Sequence, residues 1–375
     1  MESLSPAPSP RQSLKAVRTV VVKLGTQLLN DASSRLDAAF LATIAAQIAT
    51  LARNGVHVSI VSSGAVSAGL RELGLDKRPV DLAKLQAVAA VGQRRLMDAW
   101  AAAFAPHDLH VGQVLLTRED VDDRTRFLNL RNTIHAIHEL GAVPVINEND
   151  TVSTDEIVKI TFGDNDILAA LVANALRADL LVLLSVVDGI LDADSQPVRL
   201  VQSIDAARAL VRTEKSALGK GGMNSKVEAA RAVTGSGEAM VLANGRMPDV
   251  LPRILAGDEV GTLFVPAPRK RSSRSRWIDS VRPAGIVVVD EGCAVALSKN
   301  KSLLAAGIVK VDGDFKPGDV VAIQTSDGKI LGRGLSNYTA PDVERIRGKK
   351  SSEVRALLAE SAYDEVIHRD NLVMM

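Results

Sequence analysis

A single cysteine, Cys293, occurs in 375 residues. That excludes an intrachain disulfide and any cysteine-built metal cluster, and Cys293 itself reads as a small hydrophobe rather than a reactive thiol. Aromatic residues are equally scarce at 3%. A base-stacking platform for single-stranded nucleic acid is therefore not the chain's main business, and Ala, Val, Leu and Ile have to fill the core. The net charge of +1 rules out a whole surface given over to nucleic acid or membrane. No apolar run approaches the ~20 residues of a membrane helix. The longest, 180–187, is interrupted by Ser185 and bounded by Asp179 and Asp188, which is the pattern of a buried strand. The first ten residues are rich in Pro and Ser and lack the basic and apolar stretches of a signal peptide. A disordered tail over 1–16 and a cytoplasmic enzyme are expected.

What is present is an alternation. Strand-like runs at 19–24, 56–61, 110–116, 142–146, 180–184 and 239–243 are separated by helical patterns at 36–53, 81–104, 127–140, 166–176 and 224–233. This is an α/β domain with a mainly parallel sheet and helices on both faces, over 17–265. Ligands of such sheets sit at the carboxyl ends of the strands. Residues 266–282 hold six basic residues and one acid, a net +5 that leaves the rest of the chain at −4; with two prolines and four serines the segment reads as a linker. Beyond it, 283–373 carries short strands at 286–290, 294–297, 307–311, 320–324 and 329–334 between Gly, Asp and Pro turns, with one helical pattern at 341–360. That spacing predicts a small β-barrel.

Polar residues and glycines gather where the strands end. Lys23 precedes Leu24-Gly25-Thr26; an ammonium there can lie over a phosphate, although Lys23 taken alone reads first as a surface lysine. Ser62-Ser63-Gly64 opens a helix, which suits either an anion or a plain cap. Asn147-Glu148-Asn149-Asp150 offers amides for a carboxylate and acids for an ammonium, or else a solvated turn. Asp166, in Gly163-Asp164-Asn165-Asp166, can complement a helix dipole, orient lysines or hold Mg²⁺ through water. Gly219-Lys220-Gly221-Gly222-Met223-Asn224-Ser225-Lys226 is a glycine-rich helix entry with a lysine in the first turn, without the P-loop spacing. The six histidines show no ligand spacing. Two lysines, two glycine turns and acidic loops without a catalytic triad point to phosphoryl transfer, which asks for positive charge and little covalent chemistry.

Six blocks occur in order along the chain: VVKLGTQLL (21–29), VSSGAVSAGL (61–70), HVGQVLLTRED (110–120), PVINEND (144–150), FGDNDILAA (162–170) and GKGGMNSK (219–226). Together they resemble the glutamate 5-kinases of the amino acid kinase family. PAGIVVVDEG (283–292), GIVKVDGDFKPGDVV (307–321) and HRDNLV (368–373) resemble the PUA domain found in many bacterial members. The resemblance implies a three-layer amino acid kinase-like sandwich, with ATP and Mg²⁺, and phosphorylation of the γ-carboxylate of L-glutamate. It assigns charge neutralisation to Lys23 and Lys226 and the orientation of both lysines to Asp166. Ser63, Asp150, Asn165 and Asn147 would hold glutamate. Lys23, Gly25, Gly64, Ser185, Val186, Lys220, Gly221, Gly222, Met223, Asn224, Ser225 and Lys226 would line ATP. It also implies a homo-oligomer, a dimer or tetramer, and feedback inhibition by proline. PUA domains elsewhere bind RNA, but few aromatics and a net −4 outside the basic segment count against RNA here. Three departures concern the nucleotide side: Ser185-Val186 stands where Thr-Asp is common, Leu191 where an aromatic is usual, and Lys220 and Ser225 where threonines are.

Overall fold

A computed structural model describes residues 9–152, 165–213, 222–268, 270–358 and 363–375. The chain divides after Lys270 into two compact units.

The first unit is built on eight strands: β1 (Thr19–Leu24), β2 (His57–Ser62), β3 (Val111–Leu116), β4 (Val143–Glu148), β5 (Leu180–Ser185), β6 (Leu200–Val201), β7 (Ala239–Asn244) and β8 (Thr262–Phe264). Their order is β3-β4-β2-β1-β5-β7-β8-β6, with every pairing parallel except β7–β8. The central strands are buried on both faces, which is why they read as continuous apolar runs. Because side chains alternate along a strand, Val20, Val22 and Leu24 of β1 join a core with Ile44, Trp100 and Ile254. Val21 and Lys23 face the opposite layer, where the helices Asn165–Leu176 and Gly222–Thr234 pack. Helix starts follow from capping side chains: Asp37 accepts from Phe40 N, Asp81 from Lys84 N and Asp123 from Arg126 N. No helix among the described residues is long and apolar enough to cross a membrane.

The second unit holds β9 (Gly285–Val289), β10 (Ile308–Gly313), β11 (Val320–Thr325), β12 (Ile330–Leu335) and β13 (Leu372–Met374). They form one mixed sheet in the order β10-β9-β11-β12-β13, with β9–β11 the parallel pair. Its core gathers Val287, Phe315, Val321, Ile323, Val343 and Ile367.

Four expectations need correcting. Within the tail expected over 1–16, part is folded: Gln12–Ala16 forms a 3-10 turn, Leu14 is buried, and the Arg11 guanidinium donates to the carbonyls of Asp258, Val260, Gly261 and Arg199 at 2.8–3.0 Å. The 266–282 linker does not stand apart from the two units. Ser273–Ser280 is a helix of the second unit, with Arg276, Trp277 and Ile278 buried, because the apolar Trp-Ile pair outweighs the basic residues around it. The strand expected at 294–297 is the helix Glu291–Ser298, capped by Asp290 accepting from Cys293 N at 2.7 Å; four apolar residues carry too little periodicity to tell the two apart. The single helix expected at 341–360 is two, Ala340–Ile346 and Ser351–Leu358, parted at Gly348 with φ +73°. Cys293 is half-buried, and burial pushes its thiol up to about 11.

Arg11→Ala leaves four carbonyls without that donor and lowers unfolding free energy by about 3 kcal/mol, measurable by urea denaturation. Away from the strands' carboxyl ends, His138 lies beside His57 with ring centroids 5.0 Å apart, and Ser59 Oγ stands 3.0 Å from its Nε2. Burial, with His57 and His135 nearby, pushes the His138 imidazole down to about 4. The unfolded chain protonates this group first, so its contribution to stability is complete above pH ~6.5 and is lost as pH falls towards 4. Urea midpoints measured from pH 7.5 to 4.5 fall accordingly, and His138→Gln makes that fall shallower.

Candidate active site

β1 carries Lys23 onto the face covered by the Asn165–Leu176 helix, between Val61 of β2 and Leu183 of β5 in register. Asp166, in the first turn of that helix, is fully buried. Its Oδ1 stands 2.6 Å from Lys23 Nζ and its Oδ2 2.9 Å from Lys226 Nζ, so one carboxylate holds two ammonium groups. Ser225 Oγ shares its one hydrogen between the same Oδ2 at 3.1 Å and Gly222 O at 3.0 Å, and Lys226 Nζ donates to Gly222 O at 3.0 Å. Burial alone would push the Asp166 carboxyl up; the charges and hydrogen bonds of Lys23 and Lys226 outweigh it and hold the group below the usual carboxylate range. A net positive pair with a single shared anion is left at the carboxyl end of β1.

Beside it opens a cavity of about 420 Å³ whose lining includes Lys23, Ser63, Gly64, Asn147, Asp150 and Asn165. Gly64 caps the helix Ala65–Glu72 with φ +99°, a left-handed conformation that a side chain would strain. Asn165 Nδ2 donates to Ser62 O and Ser63 Oγ at 2.9 Å and to Asn147 Oδ1 at 3.1 Å. One amide therefore ties the ends of β2, β4 and the Asn165–Leu176 helix together. Glu148 and Arg78 also line the cavity. It is thus edged by cations, amides, hydroxyls and acids, a donor set fit for a zwitterion next to a phosphate site.

Of the residues singled out from the sequence, Lys23, Asp166, Lys226 and Ser225 meet in one cluster, and Ser63, Gly64, Asn147, Asp150 and Asn165 meet with Lys23 in the cavity. Gly25 lies at the end of β1 in extended backbone, where an added Cβ would stand 3.7 Å from Lys23 Nζ. Ser185 ends β5, and Val186 beyond it is exposed. Gly222, Met223 and Asn224 form the first turn of the Gly222–Thr234 helix. Lys220 and Gly221, with Gly163 and Asp164, lie outside the described residues. Sequence reasoning missed Gln93, whose Oε1 accepts from Asn147 Nδ2 at 2.8 Å. The signal was available: Leu85, Ala89, Leu96 and Trp100 mark the buried face of the Leu82–Phe104 helix, and Gln93 is a polar residue on that face.

Residues 18–244 match the amino acid kinase family and residues 285–358 the PUA domain. The chain is similar to a glutamate 5-kinase of Dehalococcoides mccartyi, 42% identical over 96% of this chain and 98% of that protein. It is similar also to a glutamate 5-kinase of Rhodopirellula baltica, 43% identical over 97% of this chain and 95% of that protein. Among solved structures, a UMP kinase from Bacillus anthracis superposes with a TM-score of 0.45 at 17% identity, covering 66% of this chain and 96% of that one.

Asp166→Asn removes the anion between two largely buried ammonium groups. A loss of about 3–5 kcal/mol in unfolding free energy is expected, read from denaturant titrations at neutral pH.

Proposed function

Because the chain belongs to the amino acid kinase family and, within it, to the glutamate 5-kinases, we infer that it transfers the γ-phosphoryl group of ATP to the γ-carboxylate of L-glutamate. The product is L-glutamyl 5-phosphate, and the reaction is the first step of proline biosynthesis. The observation that carries this reading is the buried Lys23–Asp166–Lys226 cluster opening on a cavity lined by Ser63, Asn147, Asp150 and Asn165.

The chemistry follows from charge. A γ-carboxylate oxygen attacks the γ-phosphorus, the bond to the bridging oxygen breaks, and ADP leaves with that electron pair. The nucleophile is already ionised at neutral pH, so no general base is needed. Negative charge concentrates on the transferring group, and Lys23 and Lys226 meet it without reorganising because Asp166 holds both. Asp150 takes the substrate ammonium and Ser63 donates to a carboxylate oxygen, while Asn165 and Asn147 complete the glutamate pocket behind Ser63. On the nucleotide side the reading assigns Gly25, Gly64, Ser185, Val186 and the turn from Gly222 to Lys226, together with Lys220 and Gly221 on sequence alone. Mg²⁺, bound with ATP, would supply further positive charge to the phosphates beside Lys23 and Lys226. Among the described residues no group of three or more His, Cys, Asp or Glu is placed to hold a metal by itself, and both oxygens of Asp166 face lysines. A homo-oligomer, proline as a feedback inhibitor and a cytoplasmic location complete the reading.

Incubation with ATP, Mg²⁺, glutamate and hydroxylamine yields γ-glutamyl hydroxamate. Equal product from aspartate or N-acetylglutamate overturns the substrate assignment. Lys226→Ala lowers kcat by about 10²–10³-fold with little change in the KM for glutamate; an unchanged kcat removes Lys226 from the reaction.

A further inference from the structure

The Leu82–Phe104 helix touches the site from behind at three heights. Trp100 Nε1 donates to Ser62 Oγ at 3.1 Å. Gly92 lies so close to the next helix that a Cβ there would stand 1.8 Å from Ala65 O and 2.3 Å from Gly69 N. Gln93, 7% exposed, reaches Asn147, 3% exposed. We propose that Gln93, which does not line the cavity, is a positioning residue that sets the hydrogen-bond polarity of the glutamate pocket through Asn147, Asn165 and Ser63. The proposal rests on the assignment of glutamate to that pocket.

The polarity runs one way. Glu148 N, a backbone donor, meets Asn147 Oδ1 at 2.9 Å and Gln93 Oε1 accepts from Asn147 Nδ2 at the other end, so the two together keep that Oδ1 towards Asn165 Nδ2 at 3.1 Å. Asn165 Nδ2 spends its two hydrogens among Asn147 Oδ1, Ser62 O and Ser63 Oγ. Ser63 Oγ, already an acceptor there, keeps its own hydrogen for another acceptor, and the cavity wall becomes a donor towards a carboxylate. With Asn147 turned over, its NH₂ would meet the NH₂ of Asn165 and the relay would end. Gln93 holds that direction with its oxygen alone: among the described residues its buried Nε2 has no partner. The acceptor is what matters, and the donor is dispensable.

Steady-state kinetics of hydroxamate formation test this with two variants. Gln93→Met keeps the bulk and removes the acceptor; Gln93→Glu keeps an acceptor oxygen and puts a second oxygen in place of the unused Nε2. Gln93→Met raises the KM for glutamate about tenfold, with kcat within about twofold and the KM for ATP unchanged, while Gln93→Glu restores most of the lost affinity. In the Gln93→Met background Ser63→Ala costs less than in the wild type, because the two share one relay. The proposal fails if the KM values for glutamate and ATP rise together, if Gln93→Glu is no better than Gln93→Met, or if the Ser63→Ala effects add. The coupling between Gln93 and Ser63 is a difference between variants, so it stays readable where either substitution also lowers stability. Should the wild type phosphorylate another carboxylic acid instead, the substrate assignment falls and the same split is read on that acid. A wild type that phosphorylates none overturns both.

Discussion

One carboxylate organises the site. Asp166 is buried, and its two oxygens fix two ammonium groups that come from a strand near the start of the chain and from a helix whose lysine lies 60 residues beyond Asp166. Each lysine alone would pay a desolvation cost on that face of the sheet; the shared anion offsets it, and the excess positive charge is left for an incoming phosphoryl group. The surrounding architecture serves this arrangement. The parallel order β2-β1-β5 brings Lys23 to the carboxyl end of the sheet. The same edge carries the Ser62-Ser63-Gly64 turn and the Asn147 turn, both joined to Asn165, the residue before Asp166. The two halves of the candidate site thus share adjacent residues of a single helix.

That helix also explains how one site can treat two ligands differently. Asp166 faces cations and manages charge; Asn165 faces neutral amides and a hydroxyl and manages direction. Net charge matters to a phosphate, and donor–acceptor order matters to a carboxylate that must be told from its near relatives. Gln93 belongs to the second kind of control and stands one layer further back.

Much of the fold was legible because strands buried on both faces cannot avoid reading as apolar runs. Strands β1, β2, β4, β5 and β7 were placed within a residue or two by that signal. The glycine and amide turns at their ends were legible too, since nothing in the packing of an α/β sheet calls for them. What could not be read was partnership across the chain. No local pattern says that Asp166 meets Lys23, or that Gln93 meets Asn147, 54 residues away. Composition misled where a minority of residues decided the outcome. Prolines and serines before residue 11 hid Arg11 and Leu14, and basic residues around Trp277 and Ile278 hid a buried helix. In the second unit, four apolar residues at 294–297 fitted either period, and Asp290 chose the helix.

The Arg11 contacts bear on the order in which the first unit can be completed. The carbonyls that receive its guanidinium belong to residues as many as 250 positions later, and β8, which closes that edge against β7, lies in the same late stretch. A chain emerging from the ribosome therefore has its Gln12–Ala16 turn waiting until nearly all of the unit has been made. During that interval Leu14 and the exposed flank of β7 have no cover.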